Sequence, residues 1–160
     1  MTIKVGDKLP DATLMHMSKD GPAPVKTSDY FKGKTAVLFS VPGAFTPTCS
    51  MKHLPGFIEK AAEFKAKGVD ELICIAVNDV FVMDAWGKSQ SAQDRVTMLA
   101  DGNGEFSRAL GLGLDATKFG MGQRGQRFSL IVKDGVVKDV NVEAPGEFKV
   151  STAEHALGQL

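Results

Sequence analysis

The tightest constraint on this chain is a pair of continuous apolar runs, Ala36–Val41 and Glu71–Val77, separated by one amphipathic stretch. Neither run alternates apolar with polar residues, so each reads as a strand covered on both faces. The stretch between them, from about Thr48 to Lys67, puts Leu54, Phe57, Ile58, Ala61, Ala62 and Phe64 on one side and Lys and Glu elsewhere. That pattern predicts a helix, with Gly68 as its C-cap. A strand, a helix and a second strand in this order make a parallel crossover unit. Pro55 falls inside the helical stretch and cannot donate to the helical ladder, so a bend or break is expected near Lys52–His53.

The remaining elements extend the same scheme. Asn78-Asp79 cap a helix containing Val82, Met83, Ala85 and Trp86, and Val96–Ala100 is a third short strand. Asp101-Gly102-Asn103-Gly104 is a loop and Glu105–Leu110 a short helix. Residues 111–126 read as a long glycine-rich connection. Arg127–Lys133 and Val136–Val142 form a hairpin about the two-residue turn Asp134-Gly135, and Ala153–Leu160 closes as a small helix. Residues 1–35, rich in Pro and Gly with a strand candidate at Ala12–Met15, read as a segment packed on the domain edge. Early crossovers followed by a late hairpin imply an α/β fold with a mixed central sheet flanked by helices on both faces. This is the three-layer, thioredoxin-like architecture, in one domain covering residues 1–160.

Composition narrows the function. Lys+Arg and Asp+Glu both number 19, which argues against nucleic acid or an anionic membrane as the main partner and offers little barrier to self-association. No apolar run approaches membrane-spanning length. Two cysteines without a C-x-x-C are too few for a disulfide scaffold or a structural zinc site. A reducing, cytoplasmic setting fits them, and no paired-carboxylate or His/Cys cluster calls for a metal or cofactor.

The chemistry concentrates in Val41-Pro42-Gly43-Ala44-Phe45-Thr46-Pro47-Thr48-Cys49. A buried strand runs into a Pro/Gly turn that delivers a cysteine to a helix start, with Thr46 as N-cap and Pro47 in the first helical position. Free N–H groups and the positive dipole end favour an anion there, and a thiolate is the nucleophilic form of cysteine. A Thr46 hydroxyl can be a plain cap or can orient an oxygen substrate. His53 lies four residues on, so a straight helix would invite a Cys–His pair for hydrolysis, whereas structural hydrogen bonding is the reading Pro55 favours. Cys74, between Ile73 and Ile75, is either an inert core thiol or a resolving cysteine that would need the two Cα atoms within about 7 Å. An arginine at the mouth of a central strand wants an anion, and both Arg124 and Arg127 qualify. Gly120-Met121-Gly122-Gln123-Arg124-Gly125 fits G-x-G-x-x-G but precedes a strand, the wrong context for a dinucleotide site, and reads as a flexible loop.

Pro42, Thr46 and Cys49 together read P-x-x-x-T-x-x-C, and V-P-G-A-F-T-P-T-C-S resembles the peroxiredoxin family, its type II (peroxiredoxin V) branch above all. Val5–Pro10, His53–Phe57, Val77–Asp79, Leu99–Gly102 and Arg127–Ser129 extend the likeness nearly end to end. The resemblance implies thiol-dependent reduction of hydrogen peroxide and alkyl hydroperoxides. It makes Cys49 the peroxidatic nucleophile, Thr46 the residue that hydrogen-bonds the peroxide, Arg127 the stabiliser of thiolate and transition state, and Pro42 a shield against water. It chooses Arg127 over Arg124. It also implies a homodimer through loops flanking the site, with Phe45, Phe81 and Met121 as contacts. The C-terminal region Phe148-Lys149-Val150-Ser151-Thr152 lacks the resolving cysteine of an animal branch. Regeneration is therefore expected from an external thiol, glutathione with glutaredoxin or thioredoxin. A cycle resolved by Cys74 and a peroxide sensor or redox switch are the alternatives.

Overall fold

A computed structural model describes residues 2–92 and 94–160. Its first half contains β1 (Thr13–Ser18), β2 (Gly21–Lys26), α1 (Thr27–Tyr30), β3 (Thr35–Ser40), a π-helical turn (Cys49–His53), α2 (Leu54–Glu59), α3 (Ala61–Ala66) and β4 (Glu71–Ala76). There follow α4 (Val80–Ser89), β5 (Thr97–Ala100), α5 (Glu105–Ala109), β6 (Gly113–Asp115), a 3-10 turn (Thr117–Phe119), β7 (Gln123–Gly125), β8 (Phe128–Lys133), β9 (Val136–Val142) and α6 (Ala153–Gly158).

Seven strands form one mixed sheet in the order β2-β1-β5-β4-β3-β8-β9. The parallel centre is β5-β4-β3, as the crossover pattern requires, and β8 pairs antiparallel to β3. Period-2 alternation sends successive side chains to opposite faces. Val37, Phe39 and Cys74 join one core with Leu54, Phe57, Phe64, Met83 and Trp86, under α2, α3, α4 and α6. Leu38, Ile73, Ile75 and Leu130 join a second core with Phe31 and Phe106 on the other face. Phe39 and Phe57 stack with ring centroids 4.0 Å apart, and Phe57 stacks in turn on Phe64, locking the helices after Cys49 to the sheet.

Three segments differ from the sequence expectations. Residues 13–26 form a full hairpin at the sheet edge, with Pro22 and Pro24 in β2. Proline is tolerated there because an outer strand has no further ladder to donate to. The 111–126 connection contains a small two-stranded sheet, β6 with β7. The helix after Cys49 is broken as Pro55 demands, but by a π turn over Cys49–His53 in which Leu54 N–H reaches back to Cys49 O. A second interruption falls at Lys60. The Asp134-Gly135 turn takes positive φ at both residues (50° and 77°), the geometry that closes a two-residue hairpin.

Candidate active site

The site begins where β3 ends. Val41 N–H donates to Ile75 O at 3.1 Å, holding the exit of β3 against β4. The chain then reverses through Pro42–Phe45, where Phe45 adopts φ 64°, a conformation seldom taken by a residue with a Cβ. Three contacts keep the turn in place. The Ala44 N–H donates to Asn78 Oδ1 at 2.9 Å, the Thr46 hydroxyl donates to Gly43 O at 2.7 Å, and Trp86 Nε1–H donates to Ser50 Oγ at 3.0 Å. Gly43 is closely packed, since an added Cβ would sit 3.2 Å from Thr46 Cγ2 and 3.3 Å from Met121 Cε, contacts that those side chains would have to ease by a few tenths of an ångström.

Cys49 opens the π turn and is fully buried. Arg127 Nη2–H donates to its Sγ at 3.1 Å. The arginine arrives from the far side of β3. Ser40 pairs with Phe128 in the β3–β8 register, so the residue before β8 lies across from the start of the turn. The Ser40 hydroxyl donating to Gln126 O at 2.9 Å fixes that junction. Arg127 Nη1–H donates to His53 Nδ1 at 2.8 Å, and His53 Nε2–H donates to Ser151 O at 2.8 Å. Arg124, the other sequence candidate, instead donates to Met121 O within its own loop and to Val77 O just past β4.

Both ring nitrogens of His53 are therefore committed away from the sulfur. Its burial, with the Arg127 charge adding, lowers the imidazolium pKa to about 3, so the ring is neutral at ordinary pH and offers no base to Cys49. A histidine that is neutral when folded and titrates near 6.5 when unfolded makes the unfolded chain the better proton binder between those values. Stability is expected to fall as pH drops from 6.5 toward about 3. His53 alone contributes a slope of up to about 1.4 kcal/mol per pH unit. Denaturant midpoints from pH 4 to 7 test this. His53→Gln should flatten the dependence by close to one proton, and an unchanged slope would count against it.

Thr46 is three residues before the sulfur in the same turn. Its hydroxyl proton is spent on Gly43 O, so toward an incoming oxygen substrate it presents lone pairs and acts as acceptor. Pro42 lines a cleft of about 550 Å³ with Thr48, Arg127, Leu114, Phe119 and Phe148. Cys74 lies mid-β4 opposite Phe39, and both cysteines are free thiols on one face of the sheet. Burial pushes the Cys74 thiol well above its ordinary value, and the Cys49 sulfur adds to this while Arg127 opposes it. Among the described residues no group of three or more His, Cys, Asp and Glu could hold a metal, and no helix is long and apolar enough to cross a membrane.

Sequence reasoning named Cys49, Thr46, Pro42, Arg127 and His53 but missed Asn78 as an anchor of the turn, and Ser151, Glu143 and Phe148 around His53. Asn78 carried a signal, since a polar residue ending a buried strand beside the turn strand has a partner to find. The C-terminal three carried none.

The arrangement brings together a buried sulfur, a guanidinium donating to it and a hydroxyl with free lone pairs in the adjoining turn. A model of the Redoxin family matches residues 4–157. Peroxiredoxin-2B of Arabidopsis thaliana is 51% identical over 159 residues, covering 99% of this chain and 98% of that protein. The structure of reduced Prx3 in complex with H2O2 from Vibrio vulnificus superposes with a TM-score of 0.96 at 50% identity, covering 99% of both chains. Peroxiredoxin 5 from Alvinella pompejana gives a TM-score of 0.85 at 37% identity, covering 97% of this chain and 96% of that one.

Proposed function

Because this chain belongs to the Redoxin family, as a type II peroxiredoxin with a thioredoxin-like fold that reduces peroxides at the expense of thiols, we propose that Cys49 is its peroxidatic nucleophile and Arg127 its electrostatic partner. The observation that carries this is the Arg127 Nη2 donor 3.1 Å from a fully buried sulfur. The guanidinium is placed to donate to this sulfur throughout its attack on a peroxide. The sulfur attacks one peroxide oxygen; the S–O bond forms as the O–O bond breaks, and the departing oxygen takes a proton to leave as water or an alcohol. Cys49 is left as sulfenic acid, the reversible rung of thiol oxidation. Arg127 and the first-turn N–H groups of Thr48 and Cys49 are donors for the negative charge that develops. Thr46 accepts from the peroxide hydrogen, and Pro42 covers the sulfur's approach.

The sulfenic acid condenses with an external thiol to a mixed disulfide and water, and a second thiol releases Cys49. Glutathione with glutaredoxin, or thioredoxin, are the donors we assign. What supports an external donor is the position of Cys74, held in a central strand with its thiol kept protonated by burial. Protein treated with peroxide and no thiol is expected to carry added oxygen on Cys49 with Cys74 unmodified by mass spectrometry. A dominant Cys49–Cys74 disulfide would overturn the external-thiol cycle.

We further assign a single domain over residues 1–160, a cytoplasmic setting suited to two free thiols, and a homodimer. Phe45 and Phe81, 56% and 63% exposed in the turn before Cys49 and at the start of α4, support the last. Met121 contributes less, being partly buried against Gly43. Sedimentation at the mass of one chain at micromolar concentration would exclude the dimer.

A further inference from the structure

The hydrogen-bond chain that reaches the Cys49 sulfur does not stop at His53. Glu143 stands just past β9 and is 7% exposed. Its carboxylate accepts from Lys149 N–H (3.0 Å to Oε1, 2.8 Å to Oε2), Val150 N–H (2.9 Å), Ser151 N–H (2.8 Å) and the Ser151 hydroxyl (2.7 Å). No salt bridge among the described residues involves it. A carboxylate withdrawn from water without a cation is costly unless donors converge on it, and here they do. Burial pushes its pKa up, but the bonds from Ser151, Lys149 and Val150 outweigh this and hold it below the usual value.

Ordering residues 149–151 has a consequence at the sulfur. It sets the Ser151 carbonyl 2.8 Å from His53 Nε2. A carbonyl only accepts, so Nε2 must carry the proton. A neutral imidazole has one N–H, so Nδ1 must be the lone pair, and it takes Arg127 Nη1–H at 2.8 Å. That leaves Nη2 aimed at Cys49. The loop closed by Glu143 also carries Phe148, edge-on to His53 at 5.0 Å and 5.8 Å from the Arg127 guanidinium carbon.

We propose that Glu143 is a positioning residue for peroxide reduction: by anchoring residues 149–151 it fixes the tautomer of His53, and through His53 the aim of Arg127 at Cys49. The proposal rests on the roles given above to Arg127 and Cys49. Glu143 N–H also donates to Arg127 O at 3.0 Å. A side-chain change leaves that backbone bond intact and so isolates the carboxylate.

The test is a double-mutant cycle on the full chain, using the second-order rate constant for hydrogen peroxide in wild type, Glu143→Gln, Arg127→Lys and the double variant. Glutamine keeps the shape but turns an amide donor toward backbone donors. Glu143→Gln is expected to slow the reaction about tenfold in the wild-type background, the scale of a slightly misplaced catalytic group. In the Arg127→Lys background it should cost no more than about twofold, because the fork it aims is already gone. The 15N spectrum of His53 should move from the Nε2–H tautomer toward a mixture, which a role limited to loop stability would not cause. A rate within about twofold of wild type, or the same loss in both backgrounds, overturns the proposal. Arg127→Lys at the wild-type rate would instead overturn the underlying assignment of Arg127. Should Glu143→Gln not fold, Ser151→Ala removes one bond of the set and should change rate and tautomer in the same direction; no change in either overturns the proposal.

Discussion

Cys49→Ser is expected to remove thiol-dependent peroxide turnover entirely, leaving the rate of buffer and thiol alone. The substitution changes one atom in a fully buried site. The fold should persist, since oxygen is smaller than sulfur and Arg127 Nη2 can donate to it as it does to Sγ at 3.1 Å. The chemistry does not persist. A serine hydroxyl stays neutral near pH 7 and is a weak nucleophile unless a base takes its proton. His53, which shares the Arg127 guanidinium with Cys49, has both nitrogens occupied by Arg127 and Ser151 and is held neutral. Cys74→Ser under the same assay, with glutaredoxin and thioredoxin in parallel, should retain most activity, because that thiol is buried mid-strand and kept protonated. Turnover surviving in Cys49→Ser would sink the assignment of the nucleophile; its loss in Cys74→Ser would move resolution to Cys74.

Arg127→Lys should lower the second-order rate constant for hydrogen peroxide by about 10²–10³-fold, the range for deleting one preorganised donor to developing negative charge. Charge is conserved, so the loss isolates geometry. The guanidinium spans two partners at once, His53 Nδ1 at 2.8 Å and Cys49 Sγ at 3.1 Å, from one rigid plane. An ammonium is a point donor on a flexible stem and cannot hold both directions. It would also leave Nδ1 of a buried histidine without its donor, which weakens packing as well as aim. Stopped-flow measurement under single-turnover conditions separates this step from thiol recycling. A lysine variant within tenfold of wild type would mean that charge alone suffices.

Particular residues show why some of this site was legible in the chain and some was not. Pro47 and Cys49 could be read because first-turn prolines and helix starts are local, decided within a few residues by backbone donors and sterics, whereas the Thr46 hydroxyl, expected as a cap, turns back to donate to Gly43 O. Pro55 announced a break for the same reason, though the response, a π turn over Cys49–His53, depends on how the freed carbonyls meet the next turn. The β2 strand was hidden because Pro22 and Pro24 argue against a strand unless it lies at an edge, and edge position belongs to the sheet rather than to the segment. Glu143 was invisible because nothing in its neighbourhood along the chain says that residues 149–151 will fold back onto it.

By itself the sequence determined the parallel centre of the sheet, the turn that lifts Cys49 to a helix start and the residue types that can act there. These follow from periodicity and from conformational limits that operate over a few residues. The choice of Arg127 over Arg124, which spacing left open and family likeness alone suggested, became physical only in the fold. The β3–β8 register sets Phe128 against Ser40 and so carries Arg127 across 78 positions to the sulfur. The neutral state of His53 and the aim of the guanidinium were decided there too, because burial and hydrogen-bond partners are properties of the packed chain and not of any stretch of it.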